Sequence, residues 1–166
     1  MSKSRIFWPL AALLVLADCT TKELAVDRLS PSYTSHEVFG SLLQFTLVYN
    51  PGTAFGFDLQ PYFGAWTRPV LIAAMTAILV FLALLYRRAG RSELVAATAL
   101  ALVCGGAVGN LLDRLRFTRG VVDFIDVGIG PHRFWVFNVA DAGITVGALL
   151  LALILARDDR TELFHG

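Results

Sequence analysis

Residues 134–156 read FWVFNVADAGITVGALLLALILA, and the only formal charge among them is Asp141. A helix needs about 20 predominantly apolar residues to cross a bilayer, so this run is long enough to span. Working toward the N-terminus, residues 94–112 carry no charge until Asp113, and residues 69–86 carry none until Arg87 and Arg88 close them. The first segment is less uniform. Residues 6–17 are apolar, but full bilayer thickness is reached only through Asp18, Lys22 and Glu23, at about residue 26. Composition agrees, with 56% apolar residues and a mean hydropathy of +0.64, well above an ordinary soluble domain. The expected fold is a mainly α membrane protein. It forms one integral domain over residues 1–166, with four transmembrane helices at about 6–26, 69–86, 94–112 and 134–156 and a small β-containing extramembrane insert at about 30–66.

Several other readings are set aside by particular residues. Lys3 and Arg5 followed by a short apolar run and Leu16-Ala17-Asp18-Cys19 resemble a secretory leader. Asp18, however, stands where a small residue is wanted before such a cysteine, and further spans follow. Cys19 and Cys104 both fall in expected spans and make no disulfide framework. His36, His132 and His165 are scattered, so neither a metal site nor a Cys/His nucleophile is expected. A net charge of +1 gives no sign of a nucleic-acid partner. Loop charges orient the chain weakly. The arginine cluster from Arg87 to Arg91, in a very short loop, favours cytoplasmic termini.

Within the insert, Leu42, Phe45, Leu47 and Tyr49 partly alternate with Ser41, Gln44, Thr46 and Asn50, and Gly40-Ser41 separates this run from Glu37-Val38-Phe39. That pattern predicts a small hairpin or sheet, ended by turn chemistry at Asn50-Pro51-Gly52. The costly polar residues then fall near one membrane surface. At about 1.5 Å per residue, Asp18 lies roughly 12 Å below the exit of the first helix and Asp141 roughly 10 Å below the entry of the fourth. Asn50 lies in the loop on that side, Asn110 and Arg114 at the end of the third helix, and Asp123 in the loop that follows. Gly106, Asn110 and Arg114 share a helix face, as do Asn138, Asp141 and Thr145. Gly105 and Gly109 form a small-xxx-small pair, which reads as a packing surface.

Each of these residues has a plainer reading. Asp18 and Lys22, one turn apart, suit a structural ion pair. Arg114, beside Asp113, suits an interfacial anchor, Asn50 a turn, and Asn138 a helix cap. Asp123 and Asp126 could be surface loop residues. Asp141 resists such a reading, because an Asp at the centre of a spanning helix costs at least roughly 2.5 to 3.5 kcal/mol. Two carboxylates held close together in low dielectric cannot both ionise easily. The ionised one can then take a proton from water while the neutral one donates to a carbonyl oxygen. A transporter subunit or a non-enzymatic assembly protein would also place charges within spans, and both remain as alternatives.

The motifs Asp18-Cys19-Thr20-Thr21-Lys22, Asn50-Pro51-Gly52-Thr53-Ala54-Phe55-Gly56, Gly106 through Arg114, Val122-Asp123-Phe124 and Phe137-Asn138-Val139-Ala140-Asp141 occur in an order and spacing that resembles the bacterial lipoprotein signal peptidases, signal peptidase II. The resemblance runs from about residue 5 to residue 156. It implies an intramembrane aspartic endopeptidase of the bacterial inner membrane, with four helices, a periplasmic β-cradle, a site toward the periplasmic leaflet and no cofactor. Its substrates would be diacylglyceryl-modified prolipoproteins, cut just before the lipidated cysteine. Membrane lipids would surround it, and globomycin-type inhibitors would occupy its site. By motif, Asp123 and Asp141 would be the catalytic dyad. Asp18, Lys22, Asn50, Gly52, Gly106, Asn110, Arg114 and Asn138 would bind substrate or support the site. The sequence departs from the family pattern at Cys19, at Thr53 and in Phe134-Trp135-Val136, which lacks a proline often found there.

Overall fold

The computed structural model describes residues 2–52, 59–88 and 94–163, the last seven by backbone alone. Residues 53–56 of the turn motif, Arg91 of the basic loop and His165 lie outside the described residues. In chain order the elements are α1 (Ser4–Arg28), β1 (Ser35–Phe39), β2 (Leu43–Asn50), the short α2 (Gln60–Phe63), α3 (Thr67–Arg88), α4 (Leu94–Arg116), β3 (Val121–Ile129), β4 (His132–Arg133) and α5 (Val139–Leu163).

α4 is the centre of the helical part, because its sequence is built from small residues. Ala97, Ala99 and Ala101 have no exposed surface, and Gly105, Gly106 and Gly109 bring two neighbours in close. A β-carbon on Gly105 would lie 2.9 Å from the Ala11 carbonyl oxygen of α1, and one on Gly109 would lie 2.5 Å from Asp18 Oδ2. One on Gly106 would strike the Ala140 carbonyl oxygen at the start of α5. The pair Gly105 and Gly109 therefore packs helix on helix, as its spacing predicts, and Gly106 does the same toward α5. α3 lies more lightly on α4, burying only Thr67, Leu71 and Leu82. It is held at one end by Lys3, whose ammonium donates to the Tyr86 carbonyl at 2.6 Å, and at the other by Arg68, which donates to the Arg114 and Leu115 carbonyls at 2.8 and 3.1 Å. Those are free carbonyls at a helix C-terminus, where a cation also meets the negative end of the helix dipole.

Among the described residues, three helical segments are long and apolar enough to cross a membrane: Gln60–Arg88, Leu94–Arg116 and Val139–Ala156. α1, at 25 residues, has the length but carries Asp18, Lys22, Glu23 and Asp27 in its second half.

The expected hairpin is present, and the sheet extends further than its sequence pattern indicates. Four strands run antiparallel in the order β1-β2-β3-β4, with Val48 opposite Asp123 and Asn50 opposite Val121. Asp123 thus lies in a strand, not in a loop. Val121, Val122, Asp123, Phe124 and Asp126 are all buried, so β3 is covered on both faces and shows none of the alternation that marks a half-exposed strand. Leu47, Val122 and Phe124 pack with Ala25 and Leu29 of α1, which seats the sheet on the helix ends. Asp126, read as a surface loop residue, is buried. Its Oδ1 pairs with Arg133 at 2.9 Å and its Oδ2 accepts from the Thr46 hydroxyl at 3.2 Å.

The close approach at Gly106 yields a stability test. Gly106→Ala is expected to lower the thermal midpoint in detergent by the equivalent of about 1–3 kcal/mol, the usual cost of overpacking. Gly130→Asn, at φ +56 with open space around it, is expected to leave the midpoint unchanged, since Asn tolerates that conformation.

Candidate active site

α5 begins with a reciprocal cap. The Asp141 amide donates to Asn138 Oδ1 at 2.8 Å, and the Asn138 amide donates to Asp141 Oδ2 at 3.3 Å. This is the geometry of a capping box, with Asn as cap and Asp three residues on. Asp141 therefore sits in the first turn of α5, where the helix dipole favours a negative charge, and not two turns down a span. Residues 134–138 approach the helix as extended chain, tied to β3 by Phe134 N–H to the Val127 carbonyl at 2.7 Å and by paired bonds between Phe137 and Ile125. Apolar composition alone does not distinguish such a lead-in from the helix it precedes.

Asn138 has a second task. Its Nδ2 donates to Asp123 Oδ1 at 2.7 Å, to Asn110 Oδ1 at 3.1 Å and to the Val122 carbonyl at 3.3 Å. Asp123 Oδ2 accepts from Asn50 Nδ2 at 3.0 Å, and the Asn50 carbonyl-type oxygen in turn accepts from the Gly52 amide at 3.0 Å. Asn110 Nδ2 donates to Asp141 Oδ1 at 2.7 Å. The two carboxylates thus come from different elements, one from β3 and one from α5. They are joined through Asn138, whose side-chain amide donates to Asp123 and whose backbone N–H donates to Asp141, and through Asn110 between them. Both face a groove of about 390 Å³ whose remaining walls are chiefly Phe134, Trp135, Phe137, Ile144 and Val146. A mostly apolar groove with a few convergent polar groups is the usual form of a ligand site.

The supporting residues form a layer behind the groove. Asp18 Oδ1 accepts from the Ala140 amide at 2.9 Å, its Oδ2 pairs with Lys22 at 2.7 Å, and Lys22 also reaches Asp113 at 3.1 Å and Asn110 Oδ1 at 2.9 Å. Arg114 donates to the Gly52 carbonyl, and its buried Nε has no partner among the described residues. Gly120 allows the start of β3 to lie directly on the Asn50 backbone, at φ +103 with no space for a β-carbon.

Comparison with known proteins places this arrangement. The family model described as Signal peptidase (SPase) II matches residues 10–157. The chain belongs to the signal peptidase II family. Proteins named lipoprotein signal peptidase are 39% identical over 95% of this chain and 94% of their own length in Geobacter metallireducens, and 38% identical over 95% and 91% in Pseudomonas putida. A third, from Coxiella burnetii, is 40% identical over 92% and 93%. A bacterial membrane enzyme solved by the in meso method superposes with a TM-score of 0.78, at 29% identity over 90% of this chain and 87% of that one. The chain is accordingly a peptidase, and the family resemblance read from its motifs holds.

Of the residues singled out from sequence, Asp123, Asp141, Asn50, Asn110 and Asn138 meet in one hydrogen-bonded set. Asp18 and Lys22 lie directly behind it. Gly106 serves the packing of α4 on α5, while Gly52 is tied to Asn50 and Arg114. Sequence reasoning missed Asp113, which accepts from both Lys22 and the Val122 amide at 3.1 Å. The available signal was a carboxylate closing an otherwise uncharged span. Burial pushes the Asp123 carboxyl up to about 7, and the neighbouring Asp141 adds to the rise, while Asn50 and Asn138 pull it down.

Two measurements follow from this geometry. Asn138→Ala removes both the cap and a partner of buried Asp123, and is expected to cost about 1–3 kcal/mol in thermal unfolding. For Asp123 the folded value lies above the ordinary carboxylate value of 3.8, so the folded state holds the proton more tightly than the unfolded chain. The stability difference between wild type and Asp123→Asn should therefore move against wild type as pH rises from about 4 to about 7, and level off above that.

Proposed function

We propose that the chain is an intramembrane aspartic endopeptidase, cleaving diacylglyceryl-modified prolipoproteins just before the lipidated cysteine. The observation that carries this reading is the pair of carboxylates that both accept from Asn138, Asp123 from its side-chain amide and Asp141 from its backbone N–H, at the wall of one apolar groove. Asp123 is 2% exposed and favours its neutral form. Asp141, less buried, sits in the first turn of α5 and receives the Asn110 amide at 2.7 Å, which places it to accept a proton. Asp141 therefore takes a proton from a water molecule as its oxygen attacks the scissile carbonyl carbon, and Asp123 gives its proton to the carbonyl oxygen. On collapse of the gem-diol, Asp141 passes its proton to the departing cysteine amine while Asp123 recovers one from the gem-diol hydroxyl. The signal peptide leaves with a new carboxyl group. No cofactor enters this scheme.

The other groups have matching roles. Asn50 and Asn138 hold Asp123, Asn110 holds Asp141, and Arg114 fixes the Gly52 turn above the groove. The acyl chains and the apolar signal peptide rest against the groove's aromatic and aliphatic walls. A globomycin-type cyclic peptide is expected to fill the same space. In this reading α1 also spans, giving four transmembrane helices. Its Asp18 and Lys22 are buried and paired with each other, which is how charges are tolerated within a membrane. Both termini are cytoplasmic, and the site opens toward the periplasmic leaflet of the inner membrane.

Purified wild type, Asp123→Asn and Asp141→Asn should be compared on a diacylglyceryl-modified prolipoprotein, with folding checked by thermal unfolding. Each folded variant is expected to lose activity by at least about 10²–10⁴, the contribution of a positioned acid or base. Near-normal cleavage by either would sink the dyad. Wild-type activity should also decline as pH rises through about 7 and Asp123 gives up its proton.

A further inference from the structure

Lys22 is 3% exposed and has three polar neighbours: its ammonium lies 2.7 Å from Asp18 Oδ2 and 3.1 Å from Asp113 Oδ2 as ion pairs, and it donates a hydrogen bond to Asn110 Oδ1 at 2.9 Å. Two carboxylates would suffice to neutralise it. The third bond goes to a neutral amide whose other end touches Asp141, and that bond has a directional effect. Asn110 Oδ1 also accepts from Asn138, so both of its lone pairs are engaged by donors and its Nδ2 must face Asp141. With the amide reversed, an NH₂ group would face the Lys22 ammonium and the Asn138 NH₂, and an oxygen would face the Asp141 carboxylate. All three contacts would be repulsive.

We propose that Lys22 is a positioning residue for the reaction. By holding Asn110 Oδ1, it fixes the amide so that Asp141 always receives a hydrogen bond there and is kept as the proton acceptor of the pair. This inference rests on the aspartate-dyad reading above. Of the charged groups nearby, Arg114 on α4 and Asp123 on β3 act on Asp141 directly, while Lys22 on α1, itself paired with Asp18 of α1 and Asp113 of α4, reaches it through Asn110. Among these, Lys22 alone acts on Asp141 through an oriented amide. Without the ammonium, Asn110 Oδ1 keeps one donor in place of two. The amide can then turn its oxygen toward Asp141, and the hydrogen bond that carboxylate now receives from Asn110 is lost.

The test is the pH dependence of kcat and KM on the lipidated substrate. Removing Lys22 alone leaves two buried carboxylates uncompensated, so the main variant is Lys22→Met with Asp18→Asn, which removes one charge of each sign. Lys22→Gln with Asp18→Asn, which has the same charge balance and can still donate one hydrogen to Asn110, is the partner variant. In the double variant, KM is expected to stay within about twofold of wild type. Its kcat should fall by about tenfold, and the acid limb of the profile should move up by about one pH unit, the size of shift expected when a carboxylate loses a hydrogen bond to its charged form. With Gln in place of Met at position 22, part of both effects should be recovered. A double variant with a wild-type thermal transition and an unmoved acid limb would overturn the proposal and leave Lys22 as packing only. If Asp123→Asn or Asp141→Asn is itself active, the underlying dyad reading has failed instead.

Discussion

The side-chain amide of Asn138, with no exposed surface, ties β3 to α4 and α5. It caps α5, grips the Asp123 carboxylate, and accepts or donates at each of its polar atoms. Inside an apolar protein an unmet polar group costs about 1–3 kcal/mol, so the amide tolerates few alternative arrangements of its neighbours. β3 must lie where Asp123 and the Val122 carbonyl can be reached, α5 must begin within one turn of it, and α4 must present Asn110. The sheet packs on the end of α1 through one apolar cluster while the helices pack on each other through another, and Asn138 registers the two parts at this point.

Much of this was legible in the sequence because burial left a strong imprint. Uncharged runs marked the long helices, and Gly40-Ser41 marked the hairpin. Asn138 three residues before Asp141 is itself a helix-start signature, and taking it as one places Asp141 in the first turn. Reading residues 134–156 as a single span hid that, since hydropathy records how apolar a segment is and not whether it coils. β3 was hidden by a related effect: a strand buried on both faces loses its period. Asp113 and Asp126 were obscured for another reason. Asp113 is buried against Lys22, distant in sequence, and Asp126 against Arg133, which the turn into β4 brings back beside it, and neither pairing is visible before the sheet and the helices are assembled.

The arginines explain why counting loop charges decided so little. Arg68 and Arg114 are committed to backbone carbonyls, and Arg133 to the Asp126 carboxylate as well as to carbonyls, while Arg119 stacks over Tyr49 at 3.9 Å. These cations fasten helix ends, strands and turns around the groove. Their guanidinium groups suit that work because one planar fork can satisfy several acceptors. They still enter a charge sum with the same weight as a free lysine, so the sum mixes residues that interact with the membrane surface and residues that hold the fold together.

The glycines of α4 have a genetic consequence. Every single-base change in a glycine codon that alters the residue adds at least one heavy atom, and at Gly105, Gly106 and Gly109 that atom meets backbone or Asp18. Mutations can therefore change these positions in one direction only, toward a wider spacing between helices. A random screen for lost function should collect substitutions here that remove no chemical group from the site and harm it by moving α1 or α5 away from α4.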